Sequence, residues 1–222
     1  VVSPWSFVPQ AVPGIWRNIP KLMLGYGRPL SVHPKYALKI LPWGVRFLQQ
    51  SRADRVIAAS DAMANLCGPS IDLFRKHLHG TGHEGLLTDS MYLQLFRDGS
   101  KLTLDTIDYK IRAEKGAEME VVGQDELSRL EPAVSSEFKA GLLVKGTARV
   151  RAPGRLATVL ADKAAGMGAR FVKADIKRVE KGGTGWRIRC EDRDHEAERI
   201  VMCLGAWSAD LLPDTKHKVP LI

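Results

Sequence analysis

Arg199-Ile-Val-Met-Cys-Leu-Gly-Ala-Trp-Ser208 is the segment around which the rest of this sequence organises itself. Five apolar residues, Ile200 to Leu204, follow a charge and end at a glycine. Such a run reads as a strand buried on both faces. A glycine at its carboxyl end lets another group approach the backbone closely. In doubly wound sheets, ligands sit at that edge.

Working backwards from that segment, residues 153–165 read as a helix. Pro153 suits a first turn, where its missing N–H costs nothing. Leu156, Val159, Leu160 and Ala164 share one face at helical spacing. Gly166 and Gly168 supply the stop. Val172, Ala174 and Ile176 then alternate with Lys173, Asp175 and Lys177, which predicts a half-buried strand. Gly182 and Gly183 mark a turn, and Trp186, Ile188 and Cys190 mark a second strand. A charged loop over residues 191–198 leads to the apolar run.

The first part of the chain is punctuated by Pro4, Pro9, Pro13, Pro20, Pro29, Pro34 and Pro42, too often for long helices. Residues 37–50 are expected to be helical on either side of Pro42. Residues 54–79 are expected to be mostly helical, with Asp61 capping the later part and a break or kink at Gly68-Pro69. Residues 85–87 and 91–96 read as a hairpin turning at Thr88-Asp89-Ser90. A helix over 101–115, a strand over 118–122, a short helix over 124–130 and a strand over 141–144 follow.

At 222 residues and 45% hydrophobic, the chain can bury a core and suits one or two domains. Its mean hydropathy of -0.14 and interrupted apolar patches argue against a membrane-spanning helix. Three scattered cysteines, Cys67, Cys190 and Cys203, fit a reduced cytoplasmic setting better than a disulfide framework, and no pair has metal-ligand spacing. The net charge of +8 invites a nucleic-acid reading. Read along the whole chain, basic residues interleave with acids, and the cluster Arg149, Arg151 and Arg155 has no aromatic residues beside it, so no nucleic-acid partner is expected. A weak attraction to anionic lipid remains compatible with that charge. His77, His79 and His83 read as a solvated helix end rather than a metal site. Glu118 and Glu120 share one strand face with no cleft implied for them.

The order helix, strand, turn, strand, loop, buried strand, glycine resembles the later flavin-domain segment of the FAD-dependent amino-acid oxidase and dehydrogenase superfamily. The matching words are Arg151-Ala-Pro-Gly-Arg-Leu156, Gly168-Ala169, Asp175-Ile-Lys-Arg-Val179, Trp186-Arg-Ile188 and Cys203-Leu-Gly-Ala-Trp-Ser208. Ser3-Pro-Trp5, Val12-Pro-Gly14, Pro42-Trp43, Arg46-Phe-Leu48, Tyr92-Leu-Gln-Leu-Phe96, Leu130-Glu-Pro132 and Gly141-Leu-Leu143 resemble one branch of it, the bacterial D-amino-acid dehydrogenases.

The resemblance implies a mixed α/β fold: a Rossmann-like FAD-binding segment and an antiparallel-sheet substrate domain, each incomplete. Residues 1–79 would link the two, 80–148 would form the substrate domain, 149–210 the FAD-binding segment, and 211–222 the start of a return to the substrate domain. No G-x-G-x-x-G is expected anywhere in this chain, the loop that follows a first strand and lets the backbone reach a pyrophosphate at a helix N-terminus. Neither is an acid after a second strand to hold the adenosine ribose. The chain is therefore read as an internal fragment of an enzyme; the alternative is a small domain that kept the architecture and lost the cofactor.

The resemblance further implies FAD as cofactor, an amino acid (a D-amino acid above all) as substrate, a quinone or O2 as electron acceptor, and a cytoplasmic protein peripheral to the inner membrane. Glycine or sarcosine is the alternative substrate type. Gly205 would meet the flavin pyrophosphate, or be a plain strand-end turn. Leu204 and Ala206 would contribute backbone. Trp207 would stand near the cofactor or in the core, and Ser208 would cap the next turn. Ile176 would meet the adenine through its backbone. Residues 1–5 would lie beside the flavin ring. Tyr92 and Gln94, at alternate strand positions, would face the substrate, with core or surface placement as the alternative. No catalytic residue is assigned.

Overall fold

Residues Ala140-Gly-Leu-Leu-Val-Lys-Gly-Thr-Ala-Arg-Val150 form the strand on which the first part of the protein is built. The computed structural model describes residues 1–24 and 30–205. In it the chain divides into two compact units, Val1–Lys163 and Ala164–Ile222.

The first unit holds α1 (Ile19–Leu24), α2 (Pro34–Gln50), α3 (Ala53–Cys67), α4 (Ser70–Leu78), β1 (Leu87–Phe96), α5 (Ile107–Glu114), β2 (Met119–Gly123), α6 (Gln124–Leu130) and β3 (Ala140–Val150). β3 is central, with β1 and β2 antiparallel on its two sides. Leu142, Leu143 and Val144 are all buried, so both faces of β3 are covered here and the sequence runs apolar without alternation. Leu127 of α6 is buried too. Elsewhere Phe7, Val56 and Ile111 form one apolar cluster, and Leu78, Leu156 and Val159 another.

β1 corrects the expected hairpin. The chain runs straight through Thr88-Asp89-Ser90, because β3 is long enough to offer a partner from Leu87↔Val150 to Phe96↔Ala140. Between Ser90↔Thr147 and Tyr92↔Val144, β1 advances two residues and β3 three. The extra residue therefore sits on β3 at Lys145-Gly146, and Gly146 takes a left-handed φ of 68°. The predicted helix over 101–115 shrinks to α5, because residues 99–101 form a separate 3-10 turn closed by Asp98, whose carboxylate accepts from the Ser100 N–H. Asp61 lies inside α3, not at a cap, and its carboxylate pairs with Lys115. The break at Gly68-Pro69 falls between α3 and α4. α2 is one continuous helix through Pro42, started by the His33 ring accepting from the Lys35 N–H.

None of α2 is buried. The charge is also less evenly spread than the whole-chain reading implies. Residues 1–53 hold seven lysines and arginines and no aspartate or glutamate. They carry +7 of the net +8, so the interleaving of basic and acidic residues begins only at Asp54.

α7 (Pro153–Gly166) crosses the boundary between the units and ends at Gly168, whose φ is 98°. The second unit then forms an antiparallel sheet, β4 (Ile176–Gly182), β5 (Gly185–Cys190) and β6 (His195–Ala197), in that order. The strand expected over 172–176 begins only at Ile176. The two-residue turn at Gly183-Thr184 fixes the register, and β5 ends opposite Ile176. Val172 is exposed. β6 was expected to be loop; Arg187 of β5 holds Glu196 across the ladder. Residues 200–204 form no strand. A buried parallel strand needs neighbours on both sides, and the described strands of this unit are all committed to the antiparallel ladder. Among the described residues no helix is long and apolar enough to cross a membrane.

Candidate functional site

The bulge on β3 builds the candidate site. It turns the Lys145 carbonyl out of the ladder, and that carbonyl accepts the Trp5 indole N–H at 2.7 Å. Gly146 lies under the indole, where a β-carbon would stand 3.5 Å from Nε1. Upstream, Val2 and Ala148 exchange backbone hydrogen bonds at 2.7 and 2.8 Å. Residues 1–6 are thereby laid along β3.

A cleft of about 450 Å³ opens beside this segment. Trp5 and Ser6 wall one side, Tyr92 and Gln94 of β1 another, and Asp108, Tyr109 and Arg112 of α5 a third. The Tyr109 hydroxyl donates to Gln94 Oε1 at 2.8 Å. Arg112 is anchored on its own wall: it pairs with Asp108 at 3.0 Å, donates to the Trp5 carbonyl at 3.2 Å and lies against the Tyr109 ring. Burial, and then the Asp108 carboxylate, hold the Tyr109 phenol above the ordinary tyrosine range. The cleft thus offers a neutral phenol, an amide and aromatic faces. It suits a small polar molecule held against a flat ring.

Tyr92 and Gln94 are brought together in this cleft. The α5 residues that complete it were not anticipated. Asp108 and Arg112 do sit at i, i+4, but a helix drawn over 101–115 gives no reason to single them out.

Ile176 and Leu204 meet in a second, apolar cavity of about 280 Å³ within the second unit, with Val179, Ile188 and Arg199. Gly205 has φ 55°, a conformation that favours glycine. Ala206, Trp207 and Ser208 lie outside the described residues.

The sequence does spell G-x-G-x-x-G once, at Gly80-Thr81-Gly82-His83-Glu84-Gly85, which corrects the expectation that the motif is absent. Its setting is reversed. It follows a helix, α4, and leads into a strand, β1, whereas a dinucleotide loop follows a strand and opens a helix. Gly80 and Gly82 take left-handed φ of 74° and 71°. Their N–H groups serve the chain's own carboxylate: Glu84 Oε1 accepts from Gly80 N at 2.8 Å. Backbone N–H groups of Glu84 itself, then of Gly80, Gly82 and Thr81, hold Glu84 below the usual carboxylate range. An acid of the loop sits where such a loop would take a phosphate.

Residues 25–222 match the family model described as DAO, FAD dependent oxidoreductase. This chain belongs to that family. It is 25% identical to a D-amino-acid oxidase of Bradyrhizobium diazoefficiens over 222 residues, 99% of this chain and 52% of that protein. It is 29% identical to a D-amino acid dehydrogenase of Rhizobium johnstonii over 99% of this chain and 52% of that one. The chain therefore spans about half the length of the curated relatives it matches. Among solved structures it resembles L-proline dehydrogenase from P. horikoshii (TM-score 0.58, 17% identity, 68% of this chain and 40% of that one). It also resembles glycine oxidase from Geobacillus kaustophilus (TM-score 0.54, 22% identity, 65% and 39%). At these identities the structural likeness shows the DAO fold: mixed α and β, with antiparallel sheets.

DAO family members depend on FAD, and the described residues fit part of that cofactor. The cavity at Ile176 and Leu204 is apolar, with the Arg199 cation at its wall, which suits a ring system next to a charged group. The left-handed backbone of Gly205 suits close approach. The glycine loop at 80–85, its donors spent on Glu84, does not fit the pyrophosphate.

Proposed function

We propose that this chain supplies the substrate-facing part, and one wall of the cofactor site, of an FAD-dependent enzyme that oxidatively deaminates a D-amino acid to a 2-oxo acid and ammonia. The observation that carries this reading is the cleft in which Tyr92 and Gln94 meet the Trp5 segment. Relatives named for D-amino-acid oxidation and dehydrogenation along 99% of the chain support the substrate class.

When bound, FAD supplies the two-electron acceptor, and a quinone or O2 takes the electrons onward. This chain's residues bind and orient. Residues 80–148 roof the substrate side, and residues 149–210 contribute to the FAD side. Gln94, its oxygen occupied by the Tyr109 hydroxyl, turns its amide donor toward an incoming carboxylate. Trp5 presents a rigid flat wall, and Tyr92 presents its ring and hydroxyl. Ile176, Leu204, Gly205, Ala206 and Trp207 hold the cofactor, mostly by backbone. Arg112, oriented by Asp108 and the Trp5 carbonyl, lines the same cleft beside these neutral donors.

The test is anaerobic addition of single D-amino acids, glycine and sarcosine to the FAD-loaded protein, followed by visible absorbance. Bleaching of the flavin band by a D-amino acid supports the proposal. Bleaching by glycine or sarcosine alone replaces its substrate, and a protein that takes up no FAD refutes it.

A further inference from the structure

α5 reaches two walls of the cleft at once. Asp108, Tyr109 and Arg112 fall within an arc of about 100° on this helix. Toward β1, the Tyr109 hydroxyl donates to Gln94 Oε1 at 2.8 Å. Toward the N-terminal segment, Arg112 Nε donates to the Trp5 carbonyl at 3.2 Å, while Nη1 donates to Asp108 at 3.0 Å. Asp108 is steadied in turn by the Thr106 hydroxyl at the start of the helix. The Arg112–Asp108 pair is the least exposed ion pair among the described residues, its side chains 21% and 29% accessible. Enclosure makes such a pair costly to desolvate and a weak source of stability. What it does is aim one edge of a guanidinium at a neutral backbone carbonyl. The segment has other anchors: Phe7 is buried with Val56 and Ile111, and Val2 pairs with Ala148. The Lys145 carbonyl already fixes one edge of the Trp5 indole. With the Trp5 carbonyl held as well, the ring has a set tilt.

We infer that α5 sets the width of the cleft, with Arg112 and Tyr109 as positioning residues: Arg112 holds the Trp5 wall and Tyr109 holds Gln94. One helix thereby fixes the spacing between an aromatic face and an amide donor. Neither residue has to touch the substrate to do this. The inference rests on the reading of this cleft as the substrate site, and it adds a rule of selection by thickness. A flat or slender side chain fits beside the indole, and a thick, branched one does not.

The test is calorimetric titration of the FAD-loaded protein with two carboxylates of different thickness, benzoate and cyclohexanecarboxylate. The parent should bind the flat benzoate more tightly. Arg112→Met keeps the apolar stem and removes the donors. Loss of one charged hydrogen bond on the Trp5 wall should shrink the benzoate preference about ten-fold. Arg112→Lys should shrink it as much, because one ammonium cannot replace a fork that reaches Asp108 and the Trp5 carbonyl together. Asp108→Asn, whose amide oxygen still accepts from Nη1, should keep most of the preference. In a Trp5→Ala background, Arg112→Met should change the ratio no further, since no ring is left to position. Tyr109→Phe should weaken both carboxylates alike by freeing the Gln94 amide to turn. Circular dichroism should be unchanged throughout, because Phe7 and Val2 still anchor the segment. A full effect of Arg112→Met without Trp5 would mean direct contact with the ligand and overturn the inference. So would a parent-like ratio in Arg112→Met, rescue by Arg112→Lys, parent-like binding by Tyr109→Phe, or an Arg112→Met chain that unfolds. In all of these the parent still binds, and the substrate reading stands. A parent that binds neither carboxylate overturns the inference as well, and the flavin bleaching described above then decides whether the substrate reading falls with it.

Discussion

Replacing Gly146 by alanine isolates the device that places Trp5. The backbone there is left-handed, with φ 68°. An alanine β-carbon would find the indole at 3.5 Å, an ordinary contact, so crowding contributes nothing. What remains is the backbone cost, about 1–2 kcal/mol for a non-glycine residue in this region. Alanine also stiffens the unfolded chain, which returns about 0.4–1 kcal/mol. The net expectation is a loss of about 1 kcal/mol, or roughly 2–4 °C in Tm for a protein of this size. Urea unfolding followed by circular dichroism should show the midpoint falling with the slope unchanged. Asparagine tolerates the left-handed region, so Gly146→Asn should lose clearly less than alanine. An alanine variant as stable as the parent, or an asparagine variant as damaged as alanine, would refute the argument that the bulge needs glycine for its φ.

Leu78→Ala should cost about 2–5 kcal/mol, because Leu78 is 1% exposed between Leu156 and Val159, and denaturant titration will show it. Tyr109 keeps its proton in the folded state beyond the ordinary tyrosine pKa of about 10. Its contribution to stability is therefore complete below that pH and is lost as pH rises through the folded value; ultraviolet titration should show one late-ionising tyrosine that Tyr109→Phe removes. Glu84 runs the other way. Its contribution is present above the unfolded carboxylate range and is lost as pH falls through its lowered folded value, so Glu84→Gln should flatten the acid limb of a stability–pH curve. Gly205→Val in an FAD-binding form of the protein should lower flavin retention, because a β-branched residue is strained at φ 55°; unchanged flavin absorbance per mole would remove Gly205 from the site.

Elements set by local chemistry were legible in the sequence. α6 lies on the residues expected of it, and α7 differs by one at its end, since Pro153, the apolar spacing and Gly166-Gly168 all act within a few residues. Elements set by a distant partner were not. Thr88-Asp89-Ser90 has turn composition, yet β3, some fifty residues later, holds it extended. Residues 200–204 have strand composition, but hydrophobicity alone supplies no neighbour to pair with. The candidate site divides the same way. Period-two spacing puts Tyr92 and Gln94 on one face, and both line the cleft. Trp5 was flagged only through the family resemblance, because its partner, the Lys145 carbonyl, exists only once the bulge forms. The loop at 80–85 shows the converse, a motif whose letters match while its place between helix and strand does not.

The pairing of Val2 with Ala148 also bears on how the molecule is assembled in time. The two residues are 146 positions apart, so during synthesis the segment that walls the cleft emerges well before its partner on β3. At about 5–20 residues per second, it waits on the order of ten seconds before its partner leaves the ribosome. Over that interval the acid-free, leucine-bearing stretch 1–53 is out before β3 can organise it. The cleft is thus among the last features of the first unit to close, and a nascent chain is at its most adhesive before β3 appears.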